Sequence, residues 1–207
     1  MISKLIFLSS IFLIATSVSA QYRYEVGAYR TPSGEYKYGG YYDNGTYNTF
    51  YESISYHQGT GFFFAYYTSG RPFYFNFGVS IEDTREMLYS YYLHKDINGV
   101  TTSEGTKKIN ITNLSVYTAY SNLFVPILKN VELYFGLNYA FLRLSHSSIE
   151  HKGKIGQQLG LSWMFWPAVR LSAEFRNLQT ELEYTNNSHA FSDFTLKDSL
   201  LKLSYSF

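Results

Sequence analysis

Leu201-Lys202-Leu203-Ser204-Tyr205-Ser206-Phe207 alternates without a break: Leu201, Leu203, Tyr205 and Phe207 fall on one side of an extended chain, Lys202, Ser204 and Ser206 on the other. Successive side chains of a strand point to opposite faces, so this stretch predicts a strand with one apolar and one polar side. The same reading works outward. Val169, Leu171, Ala173 and Phe175 oppose Arg170, Ser172, Glu174 and Arg176; Leu159, Leu161, Trp163 and Phe165 oppose Gln158, Gly160, Ser162 and Met164. Val131, Leu133, Phe135, Leu137, Tyr139 and Phe141 alternate with Glu132, Tyr134, Gly136, Asn138, Ala140 and Leu142.

Nearer the start, Phe73, Phe75, Phe77, Val79 and Ile81 alternate with Tyr74, Asn76, Gly78, Ser80 and Glu82, and Tyr22, Tyr24, Val26 and Ala28 with Arg23, Glu25, Gly27 and Tyr29. Two further strands are less clean. One carries Leu114, Val116, Tyr120 and Phe124 as its apolar side; the other runs through Phe62, Phe64 and Tyr66, where both faces are aromatic and the register stays open. That makes eight strands. Their connections are expected to be long at 31–50, 95–108, 145–154 and 184–193 and short at 68–72, 126–130 and 166–168. Proline stands in each short one and removes a ladder donor.

Ahead of the strands stand Lys4, an apolar run from Leu5 to Ala15, and the small residues Val18, Ser19 and Ala20. That order predicts a signal peptide over 1–20, cut after Ala20, and a mature domain over 21–207. The apolar run is short of the about 20 residues of a spanning helix. No later stretch reaches that length either, so a membrane could be crossed only as a closed barrel. The chain has no cysteine, which excludes a disulfide framework, and a formal net charge of +1, which disfavours nucleic-acid binding. Its 22 Tyr and 17 Phe among 207 residues suit strands, and also the aromatic girdles of a membrane barrel.

The signal peptide, the eight alternating segments, the turn at Val125-Pro126-Ile127 and the last strand together resemble the small eight-stranded outer-membrane barrels, the group of the OmpA transmembrane domain, OmpX and the opacity-type proteins. The resemblance implies an all-β, antiparallel up-and-down transmembrane barrel in the outer membrane of a Gram-negative cell. Its short turns would face the periplasm and its long loops the outside. It implies as partners outer-membrane lipid and lipopolysaccharide, and the barrel-assembly machinery, which would read Leu203, Tyr205 and Phe207 as an assembly signal.

If the apolar faces meet lipid, the charges of the other faces line the interior. Glu25, Glu174, Lys202, Arg170, Arg176 and Asp198 are then a lumen charge cluster, joined by Arg23, Glu82 and Glu132, with Glu25, Lys202 and Glu174 expected to meet. An isolated charge there would be costly and a paired one tolerated. Eight strands leave room only for side chains, so a closed scaffold is favoured over a gated, porin-like pore.

The stretch around Tyr36, Tyr38, Tyr41, Tyr42 and Tyr47 mixes tyrosine with glycine and small polar residues, a composition suited to surface recognition of a host or surface ligand. It also fits a hairpin continuing above the membrane and turning at Asp43-Asn44-Gly45. His146 and Ser148 share one side of a strand and are faintly similar to the His-x-Ser pair of barrels that deacylate lipid A. Ile149 stands where that motif has asparagine, and no acid partner is placed. His146 and His151 lack the companions of a metal site. The sequons at Asn44, Asn110 and Asn113 carry no weight in a bacterial barrel, and no phosphate-binding glycine loop is present. The expectation is therefore a non-enzymatic envelope scaffold and adhesin-like surface protein, without catalytic, cofactor or metal site and without nucleic acid as a partner. A small pore is the second reading and a lipid A-modifying enzyme the third.

Overall fold

The computed structural model describes residues 23–32, 34–43, 47–68, 70, 72–96, 98–108, 113–144, 149–184 and 191–207. The expected signal peptide lies outside them. Eleven strand segments follow one another: β1 (Tyr24–Thr31), β2 (Gly34–Asp43), β3 (Tyr47–Tyr56), β4 (Gly59–Tyr67), β5 (Tyr74–Lys95), β6 (Thr101–Lys108), β7 (Asn113–Leu128), β8 (Val131–Leu144), β9 (Ile149–Trp166), β10 (Val169–Tyr184) and β11 (Phe191–Ser206).

They build eight barrel staves. β1 and β2 form the first, interrupted at Pro32, whose missing N–H cannot serve the ladder. β3 and β4 form the second, β5 the third, and β6 with β7 the fourth; β8 to β11 are the remaining four. All pairings are antiparallel between neighbours, and β1 closes the ring against β11, from Glu25 opposite Ser206 to Arg30 opposite Leu201.

The stagger of that ring can be read residue by residue. From Lys197 the pairing line passes through Asn177, Gln157, Leu137, Ser121, Phe77, Tyr66 and Tyr24. Tyr24 and Phe207 exchange backbone hydrogen bonds, so the line returns to the eighth stave ten residues from Lys197. With about 3.3 Å per residue and about 4.8 Å between strands, a shear of that size tilts the staves by about 40°.

Burial is inside out relative to a water-soluble sandwich. Phe62, Ile81, Phe175 and Tyr205 point outward at 68%, 57%, 68% and 54% exposure, while Glu82, Glu174 and Arg176 are buried at 1%, 2% and 4%. The apolar faces read from the sequence are the outer faces on six staves. On β4 the open register resolves with Phe62, Phe64 and Tyr66 outward and Gly61, Phe63, Ala65 and Tyr67 inward.

On β7 the expected apolar side, Leu114, Val116, Tyr120 and Phe124, turns inward instead. The reason is what it meets there. Val116 pairs with Leu142, Leu178 pairs with Leu196, and all four are buried together with Leu114. These residues fill the lumen with hydrocarbon at and beyond the level of Glu82, which lies opposite Val116.

The expected connections also need correction. β7–β8 and β9–β10 are joined by two-residue turns at 129–130 and 167–168, with Ala168 in the left-handed region at φ 67°. At the other end most of the stretches expected as long loops are strand. β2 and β3 stay paired up to Asp43 opposite Tyr47, β5 runs for 22 residues, and β6 pairs back onto it. The hairpin between β5 and β6 is tightened by the Asp96 carboxylate, which accepts from the N–H groups of Asn98 and Val100 at 2.9 Å each. A bilayer needs only about 9 to 11 residues per strand. The staves therefore rise beyond the apolar belt, where no greasy face announces them but the backbone must still be paired.

Candidate functional site: an ion-paired lumen

Among the described residues, the inward side chains form three charged groups stacked along the barrel, each built on one cation. Nearest the short turns, Arg170 on β10 reaches Glu132 on β8 at 3.2 Å. Its guanidinium also donates to the hydroxyl of Tyr67 at 2.8 Å and to that of Tyr74 at 3.4 Å. Tyr67 in turn donates to Glu25, whose other oxygen accepts from Ser204. The guanidinium carbon lies 5.2 Å and 5.3 Å from the Tyr67 and Phe124 ring centres, and Phe124 stacks on Tyr74 and Tyr134 with centroids 4.9 Å apart. Arginine suits this position, since its flat, weakly hydrated fork accepts rings and carboxylates together.

At mid-height Lys202 Nζ lies 2.5 Å from Glu174 Oε2, which also accepts from the Tyr134 hydroxyl at 2.9 Å. Phe63 and Tyr120 present their rings to the ammonium, both at 5.3 Å. Beside this pair runs an amide ladder. Asn122 donates to Asn76 at 3.0 Å, Gln158 to Asn122 at 2.6 Å and Asn138 to Gln158 at 3.3 Å, tying β5, β7, β8 and β9 across the lumen wall.

Toward the long-strand end, Arg176 Nη2 stands 2.5 Å from Glu82 and 2.9 Å from Asp198, and Tyr56 donates to Asp198 at 2.6 Å. Tyr29 lies under the guanidinium, its ring centre 5.3 Å away. Beyond this group comes the hydrocarbon of Leu114, Val116, Leu142, Leu178 and Leu196.

Each charged group joins staves far apart in sequence, so the lumen acts as a set of cross-braces. Pairing and ring contact offset the desolvation that would otherwise expel the charges. Large rings fit because glycines lie opposite them: Tyr29 is paired with Gly61, Phe63 with Gly27 and Tyr134 with Gly160. A Cβ at any of these glycines would overlap the facing ring. The cavity bordered by Glu25, Arg170 and Lys202 is about 20 Å³, room for a single water.

All eight staves are closed, charge lies inside and hydrocarbon outside. This is the architecture of a closed, eight-stranded antiparallel transmembrane β-barrel.

The sequence matches no family model and no curated protein. Among solved structures it is similar to the outer membrane protease OmpT from Escherichia coli, at 7% identity and a TM-score of 0.46 over 91% of this chain and 99% of that one. It is also similar to the outer membrane protein OprG from Pseudomonas aeruginosa, at 12% identity and a TM-score of 0.46 over 92% of this chain and 98% of that one.

Within the barrel, the residues singled out in the sequence fall into different groups. Arg170, Glu174, Arg176, Asp198 and Lys202 are buried in the lumen with the partners given above. Glu25 is buried too, but its carboxylate is held by Tyr67 and Ser204, and Lys202 turns to Glu174. Arg23 is exposed at the rim. Leu203, Tyr205 and Phe207 face outward along the closing seam, where Phe207 stacks on Tyr24 at 5.9 Å. Tyr36, Tyr38, Tyr41 and Tyr42 lie on β2 and Tyr47 opens β3. Asn44 and Gly45 of the expected turn, and His146 and Ser148, lie outside the described residues.

What the sequence reading missed is the part played by neutral groups. Tyr56, Tyr67, Tyr74 and Tyr134 each donate to or receive from a lumen charge, and the amide ladder was not anticipated. The available signal was period two: nearly all of these residues sit one step from an outward apolar residue, opposite the greasy face.

Proposed function

We propose that this protein is a closed, non-enzymatic scaffold of the outer membrane whose long-strand end rises outside the cell and makes surface contacts. The observation that carries the reading is the filled lumen: three braced charged groups, a hydrocarbon plug beyond them, and a cavity of about 20 Å³. A path for hydrated ions needs far more room than one water. A small pore remains the second reading.

The tyrosine-rich β2–β3 hairpin, with Tyr36, Tyr38, Tyr41, Tyr42 and Tyr47, is the segment proposed to touch a host or surface ligand; tyrosine gives contact area at low entropic cost. Leu203, Tyr205 and Phe207 are proposed as the feature read by the barrel-assembly machinery. Export through a cleaved leader over 1–20 belongs to the same proposal.

The test is single-channel recording of detergent-refolded protein in planar bilayers, on a sample whose gel mobility changes on boiling. A folded band with a silent bilayer supports the scaffold. Steady conductance from the folded band would replace it with the pore.

A further inference from the structure

The outer surface carries a row of polar side chains that a uniform lipid-facing belt does not need. On the pairing line through Lys197, Asn177, Gln157, Leu137 and Ser121, four of the five outward residues are polar. The next line toward the short turns begins at Ser199 and then carries Phe175, Leu159, Phe135, Leu123 and Phe75. Both lines border a furrow on the barrel's outside with a free volume of about 870 Å³.

Pairing lines run at right angles to tilted staves, so this furrow slopes. It starts at Lys197, ten residues along its stave from Phe207, and descends past Asn177 and Gln157 to Ser121, within the apolar belt. Its upper end carries a single outward cation. Lys197 is exposed and has no ion pair among the described residues. Below it the aromatic row offers apolar contact.

We propose that this furrow seats one molecule of lipopolysaccharide through its lipid A, a phosphorylated sugar carrying several acyl chains. Lys197 meets a phosphate, Asn177 and Gln157 hydrogen-bond sugar and amide groups, and acyl chains lie across Phe175, Leu159 and Phe135. The inference rests on the outer-membrane reading with the long-strand end outward. The charge of the upper end fits a phosphate-bearing ligand. The sideways course, bordered by six staves from β5 to β11, fits a lipid of many chains better than a two-chain phospholipid.

Native mass spectrometry of the refolded full-length mature chain in detergent micelles, titrated with bisphosphoryl lipid A or with phosphatidylglycerol, tests it. The expected result is one lipid A adduct, held more tightly than phosphatidylglycerol. Lys197→Glu should weaken it about tenfold, as expected for a lost charge-assisted hydrogen bond. Ser121→Trp, which fills the lower furrow, should also weaken it, with boiling-dependent mobility retained in both variants.

Equal retention of the two lipids, affinity unchanged in both variants, or a dimer in place of a lipid adduct would each overturn the site. A chain soluble and monomeric without detergent would instead sink the outer-membrane reading itself.

Discussion

Tyr120 lies across Gly78 on the neighbouring stave, so close that a Cβ on Gly78 would fall within contact of the phenol ring and its hydroxyl. The pair sits on the inner wall, and the ring that fills it also faces Lys202.

Gly78→Val is therefore expected to destabilise the barrel by about 1–3 kcal/mol through overpacking. Urea unfolding in micelles measures it. In a Tyr120→Ala background the same substitution should cost much less, because contacting residues are not additive. Equal cost in both backgrounds would show that the ring is not what occupies the space.

Lys202→Met keeps an unbranched side chain, one atom shorter, and removes its charge, leaving Glu174 buried beside the hydroxyl of Tyr134. Stranding one member of a buried pair costs about 3–5 kcal/mol. The double variant Lys202→Met with Glu174→Gln should recover part of that loss, read from the unfolding midpoint. A single variant as stable as the parent would mean that the pair does not brace the barrel.

Tyr56 donates to Asp198 from the second stave, and Tyr56→Phe deletes only that donor. A loss of about 1.5–3 kcal/mol is expected, the range for hydrogen bonds to charged groups. Thermal loss of the fast-migrating unboiled band provides the readout.

Val79 stands outward on the third stave and Val100 beyond the belt, at 54% and 59% exposure. Similar exposure to different surroundings gives opposite expectations. Val79→Arg should cost about 2–4 kcal/mol, as for a cation near the middle of a bilayer, and Val100→Arg should stay within about 0.5 kcal/mol, as for a surface change in water. Refolding into lipid vesicles separates the two; matching effects would place the belt elsewhere.

The strand count, the ring order and the outward faces of six staves were legible because one rule, hydrocarbon out and polarity in, governs them. The rule failed where the interior is itself apolar. Leu114 and Val116 obey the demands of the plug, so their stave reads backwards, and Phe62 to Tyr67 are aromatic on both sides because rings serve both lipid and lumen. Strand beyond the belt reads as loop, since outside lipid no continuous hydrocarbon-facing side is required of it. The sequence puts Glu25, Lys202 and Glu174 together, but the ten-residue stagger leaves Lys202 with Glu174 and turns Glu25 to Tyr67 and Ser204.

That stagger ends on the hydrogen bonds between Tyr24 and Phe207. Residues at opposite ends of the described chain thus hold the last seam, and no native-like intermediate can satisfy both edges before the eighth stave is in place. Local hairpins form cheaply, but closure is the most non-local contact the molecule makes, and such contacts slow folding. Until then β1 and β11 are open edges, the kind that pair with whatever strand is nearest. Safe delivery of the unfinished chain to its membrane is thus as much a requirement of this topology as the stability of the finished ring.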